Sequence, residues 1–131
     1  MKKIAKTLAL VAGGLMLLMG ALAFLPLGIV GPGGMMIRYA NVPYVYLVSG
    51  VLLILFSTMG ESWAAFGLYS VAVLHLLLGG LGYSTIDMSG TATLFGVLRL
   101  TRADMVLHAV IAVGLAICGK MNTAKQQLIW D

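Results

Sequence analysis

The sequence predicts an all-α integral membrane protein, a four-helix transmembrane bundle with two longer apolar loops on its outer side. Two observations favour this fold class. The 131 residues are 61% hydrophobic and 9% charged, whereas soluble globular chains carry about 25% charged residues. The few charges are also clustered, and they separate uncharged segments long enough to cross a hydrocarbon core of about 30 Å as helices. A chain of this length forms a single domain, residues 1–131.

The uncharged segments define the predicted spans. In lipid, backbone polar groups are paired either within a helix or in a closed barrel. Barrel strands alternate apolar and polar residues, and these segments do not. We therefore predict four helices, at residues 5–25, 43–60, 63–83 and 103–121.

The fourth predicted helix has the shortest uncharged stretch, which runs from Met105 to Gly119. It crosses the membrane if Asp104 lies at one interface and Lys120 at the other, or if the bilayer thins there. In the alternative, this helix begins near Leu94 and its first turns lie outside the membrane.

The N-terminal segment allows two interpretations. Its lysines precede an apolar stretch that includes Ala21-Leu22-Ala23, a pattern typical of a signal peptide cleaved after Ala23. The apolar stretch is long for a signal peptide and continues to Val30, so an uncleaved first helix is the expectation.

Lysine and arginine residues predict the orientation, because cytoplasmic loops carry an excess of them. With the N-terminus inside, five lie on the inner side and three on the outer side. This favours a multi-pass protein of the cell inner membrane with both termini in the cytoplasm. The net charge of +4 is thus a membrane feature, and no basic, aromatic face for nucleic acid is present. The inner residues are Lys2, Lys3, Lys6, Lys120 and Lys125, and the outer ones are Arg38, Arg99 and Arg102.

Two long connectors are expected on the outer side. In the first, Gly31-Pro32-Gly33-Gly34 predicts a turn, and Asn41 is expected to cap the second helix with Pro43 in its first turn. The second connector, Ser84 to Arg102, mixes small polar residues with large apolar ones. This mixture predicts a segment at the membrane interface or one folded over the helix ends.

Three ionisable residues fall within the predicted helices, where such groups are candidates for function. Asp104 and His108 are four residues apart, so they share a helix face and can hydrogen-bond as a structural latch. His75 and His108 are expected at similar depth on antiparallel helices. They are therefore candidate cofactor-binding residues, as bis-histidine ligands of haem b or a shared metal. The leading expectation is nevertheless no cofactor and no metal.

Sequence motifs of known catalytic sites are absent. The chain has no H-E-x-x-H, no Cys-x-x-Cys and no nucleophile elbow, and its carboxylates are not paired. The sequence therefore predicts no catalytic residues and no enzyme activity.

The C-terminal half carries a family resemblance. The stretch Leu94–His108 is similar to the entry into the last helix of domain of unknown function 4383, a family of small bacterial four-helix membrane proteins. Met105 stands where that family's pattern has asparagine, and Leu78–Tyr83 resembles the glycine-rich end of its third helix. The resemblance implies an architecture without an assigned activity, and a pair that holds the outer connector onto the bundle. Four positions fit the signature: Gly96, Thr101, Asp104 and His108.

Three functions remain open at this point. The first is a structural or accessory role, with the chain packing against a larger membrane assembly or a second copy of itself in the lipid bilayer. The alternative is an electron-transfer subunit that binds haem or quinone through His75 and His108. The third is a small-solute transporter or channel, which internal repeats with broken helices would favour.

Overall fold

The computed structural model describes residues 4–130, with side chains described for residues 4–121. Lys2, Lys3 and the side chain of Lys125, on which the orientation prediction draws, lie outside the described residues. The described chain is mostly helical. Its elements are α1 (Ile4–Leu22), α2 (Val42–Met59), α3 (Glu61–Ser84), β1 (Thr91–Leu94), β2 (Leu98–Thr101) and α4 (Arg102–Trp130).

The prediction of four apolar helices is confirmed. Each of α1, α2, α3 and the Arg102–Met121 part of α4 is long and apolar enough to cross a membrane, which indicates a multi-pass membrane protein. Large apolar side chains also cover the outside of the bundle: Leu15 is 60% exposed, Phe66 55% and Val106 64%. Helices that are apolar on all sides are typical of membrane spans.

The helix boundaries differ most from the predicted ones at the end of the first helix and at the end of the last, which continues to Trp130 instead of ending at residue 121. The first helix ends at Leu22, followed by a turn in which the Leu25 N–H donates to the Leu22 carbonyl. The last helix begins at Arg102, so the alternative start near Leu94 is wrong. Residues 91–101 form an antiparallel hairpin instead.

The hairpin β1–β2 turns at Phe95 and Gly96, which both have positive φ, at 54° and 72°. A type I′ turn needs positive φ at both central residues, and the Val97 N–H donates to the Leu94 carbonyl across it. The apolar side of the hairpin is buried, with Leu100 0% exposed. It covers the ends of the helices on what we call the hairpin end of the bundle.

The connector of residues 23–41 lies at the same end and is compact. A Cβ on Gly31 would lie 2.1 Å from the Leu25 carbonyl oxygen, so this turn requires glycine. Ile37 is 0% exposed and has a positive φ of 50°. Asn41 occupies the N-cap position of α2 without a side-chain capping bond. Its Nδ2 donates instead to the Val97 carbonyl, 2.9 Å away, which ties the connector to the hairpin.

Helix packing is organised in two pairs, α1 with α2 and α3 with α4. Glycines bring the paired backbones together. A Cβ on Gly13 would lie 2.9 Å from the Gly50 carbonyl oxygen, and a Cβ on Gly79 would lie 3.1 Å from that of Met105. The glycines at 14, 80 and 114, by contrast, have nothing within 4 Å of an added Cβ. Small residues therefore serve internal packing only at some of their positions.

Candidate functional site at a buried histidine pair

Two histidines meet inside the bundle. His75 on α3 and His108 on α4 are both 0% exposed. Their Nδ1 atoms are 2.7 Å apart, and their ring centroids are 4.8 Å apart with the planes tilted by 42°. The structure thus brings together the two residues that the sequence places at similar depth, and it joins them by a direct hydrogen bond.

A serine that the sequence analysis missed extends this pair to a third helix. The Oγ of Ser49, on α2, lies 3.1 Å from Nε2 of His75, and Ser49 is 0% exposed. Its signal was present, because Ser49 is one of the few polar residues in the second predicted helix. Hydrogen bonds therefore connect α2, α3 and α4 through Ser49, His75 and His108, which we call the histidine chain.

The protons of the histidine chain have two consistent arrangements, because a neutral imidazole has one donor and one acceptor nitrogen. In the first, Ser49 donates to His75 and His75 donates to His108, which leaves a proton on Nε2 of His108. In the second, every donor is reversed and Nε2 of His108 is a bare acceptor. In both, this buried Nε2 has no hydrogen-bond partner among the described residues.

An aromatic side chain closes the cluster. The ring of Tyr46, on α2, stacks on His108 with centroids 5.6 Å apart and planes 15° apart. It lies 5.7 Å from the ring of His75. Tyr46 is 0% exposed, and its buried hydroxyl has no hydrogen-bond partner in the part of the chain that the structure describes. The cluster thus keeps two buried polar atoms, the Tyr46 hydroxyl oxygen and Nε2 of His108, with unused hydrogen-bonding capacity.

Asp104 lies one helical turn before His108 and is also 0% exposed. Its carboxylate accepts from the backbone N–H of Ile37 at 2.6 Å and from that of Thr101 at 2.9 Å. The Thr101 hydroxyl lies 3.0 Å from the same carboxylate, and the Asp104 N–H donates back to that hydroxyl at 3.2 Å. This is a capping box at the start of α4, and the Thr101-x-x-Asp104 spacing was its overlooked signal.

The expected hydrogen bond between Asp104 and His108 is not formed, although the structure describes both side chains. The Asp104 oxygens face the donors of Ile37 and Thr101, and His108 turns its Nδ1 to His75. A shared helix face permits a contact at a spacing of four, but each side chain has a better partner from another part of the chain. Asp104 therefore joins the connector and β2 to α4, while His108 joins α4 to α3.

The histidine pair does not fit a haem held between the two rings. An ion bound by two imidazole nitrogens holds them about 4 Å apart, at about 2 Å each. Here the facing nitrogens are 2.7 Å apart, which leaves no room for an iron or a porphyrin. Among the described residues, no group of three or more histidine, cysteine or acidic side chains is placed to hold a metal.

Comparison of the chain with protein-family models, with curated proteins and with solved structures gives no match. The resemblance of residues 94–108 to domain of unknown function 4383 stays a prediction.

Proposed function

We propose that this chain is a structural or accessory membrane protein, a rigid small bundle that packs against a larger membrane assembly or a second copy of itself. One observation carries the proposal. The polar residues buried among its apolar helices bond to one another or to the backbone: Ser49, His75 and His108 across three helices, and Asp104 at the start of α4. Such bonds fix the shape of the bundle.

The energetics agree with a shape-fixing role. Hydrogen bonds between helices in a membrane contribute about 0.6 kcal/mol on average, up to about 1.7 kcal/mol. A buried donor or acceptor that loses its partner costs about 1–3 kcal/mol. The histidine chain therefore adds modest stability when intact and penalises helix arrangements that break it.

The outside of the bundle supports the packing role. Gly14 and Gly114 are exposed, and a Cβ at either would meet nothing within 4 Å. Open glycines on an apolar helix permit close approach of another helix.

Affinity isolation from native membranes in mild detergents, followed by native mass measurement, tests this function. We expect the chain to be recovered with a partner or as an oligomer. Gly114→Leu places a large side chain at this open glycine and is expected to reduce recovery of the partner if α4 forms the interface. The control is Val113→Leu, because Val113 is next to Gly114 and already carries a large, exposed side chain. A strictly monomeric, partnerless species across several mild detergents contradicts the proposal.

A second candidate is proton transfer, favoured by the unpartnered Nε2 at one end of the histidine chain. In such a relay, one water molecule would supply a proton to Ser49, Ser49 would pass its own proton to His75 and His75 its Nδ1 proton to His108, and a second water molecule would accept the proton on Nε2 of His108. Protonatable chains of this kind serve as relays in membrane pumps. Proton flux into vesicles containing the purified chain, abolished by His75→Leu and retained in Val110→Leu, supports this candidate. Equal flux in both variants excludes it.

The proposed location is the inner membrane with both termini in the cytoplasm. Reporter fusions test this orientation. Alkaline phosphatase, which is active only outside the cytoplasm, is expected to be inactive when fused after Gly60 and active when fused after Asp87. The reverse pattern places the hairpin end in the cytoplasm.

A further inference from the structure

A groove runs along the outside of the bundle between α3 and α4, near the hairpin end. It consists of two adjoining cavities of about 510 and 320 Å³, which share Tyr83, Met105 and Val106 as walls. Arg102 and Ile86 lie at its outer mouth, in the cavity farther from Leu76. The deeper part is lined by apolar residues and glycines of α3 and α4, from Leu76 upward. We call it the α3–α4 groove.

The groove has the dimensions of part of an acyl chain. Leu76 and Tyr83 are seven residues apart on α3, which is about 10 Å along a helix. One leaflet contributes about 15 Å of hydrocarbon. Glycines shape the floor: Gly79 packs against the backbone of α4, and a Cβ on Gly80 would meet open space. An apolar groove of this length suits one hydrocarbon chain parallel to the helices.

A cation without a partner lies at the mouth. Arg102 is exposed and, among the described residues, its guanidinium makes no hydrogen bond or ion pair; its Nε is 3.5 Å from the Cβ position of Gly90. The nearby arginine of β2 is engaged, because the Arg99 guanidinium lies 4.7 Å from the Tyr39 ring centroid.

The acidic side chains near the start of α4 are also engaged. The carboxylate of Asp87 accepts from Ser89 and from the backbone of Thr91. That of Asp104 completes the capping box with Thr101. Among the described residues that line the mouth of the groove, Arg102 is the cationic one, so an anion there is expected to bind to its guanidinium.

We propose that the α3–α4 groove binds one phospholipid, with the phosphate on Arg102 and an acyl chain along Gly80. The guanidinium matches a phosphate, with which arginine forms paired, charge-assisted hydrogen bonds. The apolar part of the groove distinguishes a lipid from free phosphate, which has nothing to place there. The Tyr83 ring, 76% exposed, lies at the junction of the two parts, where aromatic rings sit at a membrane interface.

Spin-labelled phosphatidylglycerol added to the purified full-length chain in detergent tests the proposal through its motionally restricted fraction. We expect about one restricted lipid per chain. Arg102→Gln is expected to weaken binding about tenfold, as loss of one charge-assisted contact does, whereas Arg99→Gln leaves it unchanged. Gly80→Leu fills the groove and is expected to remove the restricted lipid, whereas Gly14→Leu, at an equally open glycine of α1, is its control.

Helix content measured by circular dichroism checks that the variants fold. Leucine at an exposed helix position raises helix propensity relative to glycine, so Gly80→Leu is expected to fold. The proposal is overturned if Arg102→Gln and Gly80→Leu both bind lipid as the unaltered chain does, or if inorganic phosphate displaces the lipid at equal concentration. It is also overturned if Gly80→Leu releases a co-purifying protein and leaves the restricted lipid in place, because the groove then holds a partner helix.

Discussion

His75 and His108 each present one ring nitrogen to the other, and this bond makes their contributions to stability interdependent. His75 also binds Ser49, so it lies in the middle of the histidine chain, while His108 lies at its end. Removing the end residue leaves a buried nitrogen of His75 without a partner. Removing both histidines leaves only the Ser49 hydroxyl, which can bond to a backbone carbonyl of its own helix.

A double-mutant cycle on the pair is the first prediction. His108→Leu is expected to lower the free energy of unfolding by about 1–3 kcal/mol, because Nδ1 of His75 loses its partner. The double variant His75→Leu/His108→Leu is expected to cost less than the sum of the single variants, by about 0.6–1.7 kcal/mol. Unfolding in mixed micelles, followed by circular dichroism, measures both quantities, with the exposed Val110→Leu as control. Strict additivity contradicts a direct bond.

Asp104→Asn is the second prediction. Each oxygen of the Asp104 carboxylate accepts from one backbone N–H, that of Ile37 or that of Thr101. An asparagine at this position replaces one of these oxygens by an NH₂ group, which cannot accept a hydrogen bond. We expect a loss of about 1–3 kcal/mol and faster hydrogen exchange at the Ile37 and Thr101 amides, by about tenfold or more. Asp87→Asn, in the exposed turn before β1, is the control. Unchanged exchange at Ile37 contradicts the assignment of Asp104 as the residue that holds the connector.

The polarity of a residue in an apolar helix predicts that it forms a hydrogen bond, but it does not predict the partner. An ionisable group in an apolar helix has to find a partner, so Asp104, His75 and His108 could be singled out from the sequence. Their partners could not, because the Asp104 bond to Ile37 spans 67 residues and depends on how a loop folds back. The local pattern favoured a bond between Asp104 and His108, and long-range partners displaced it.

The paired helices approach closely through glycines of defined orientation. Gly13 faces Gly50, and a Cβ on Gly50 would lie 2.7 Å from the Gly13 carbonyl oxygen. The next residue, Gly14, points outward to open space. Two adjacent glycines of one helix therefore have opposite roles.

The third prediction compares Gly13→Ala with Gly14→Ala. The methyl group at Gly13 overlaps the Gly50 backbone, so the helices have to separate, at a cost of about 1–3 kcal/mol. At Gly14 the methyl group meets nothing, and alanine is expected to stabilise the helix by up to about 1 kcal/mol. Unfolding in mixed micelles measures the difference. Equal effects of the two substitutions contradict the packing of α1 on α2.

The turn before β1 supplies the fourth prediction. The Ser89 hydroxyl and the Thr91 backbone N–H both donate hydrogen bonds to the Asp87 carboxylate. These bonds, of which the one from Ser89 has the larger effect, lower the pKa of this carboxyl below its ordinary value. A lowered pKa means that the turn is stabilised above the ordinary pKa of about 3.9 and that this contribution is lost as pH falls through the lowered value. An NMR titration of Asp87 measures the pKa, which Ser89→Ala is expected to raise. A pKa unchanged by Ser89→Ala contradicts the assignment.

The length of the uncharged segments was enough to predict the four helices, but it was not enough to predict the hairpin β1–β2. A long uncharged segment can be recognised from the sequence alone, and in lipid it has to form a helix because its backbone groups must be paired. The two strands have four residues each, and their turn places Phe95 at positive φ, which a non-glycine residue adopts only in a favourable context. The hairpin is also held from outside its own segment, by the bond from Asn41 to the Val97 carbonyl, which the sequence of the segment does not reveal.

The whole molecule consists of two helical pairs, α1–α2 and α3–α4, joined by a short turn at Gly60. His75 and His108 both belong to the second pair, while Ser49 belongs to the first. Of the helix interfaces, those within each pair are the most extensive. The chain therefore contains two units, each with its own close backbone contacts.

This division has a consequence for biogenesis. During synthesis the first pair is complete before the second emerges, and it contains no ionisable side chain between Thr7 and Met59 other than those of Arg38 and three tyrosines. The second pair carries both imidazoles. The bond between them satisfies one ring nitrogen of each histidine before the first pair docks. Docking of the finished first pair then supplies the Ser49 hydroxyl to the histidine chain and the Ile37 N–H to Asp104.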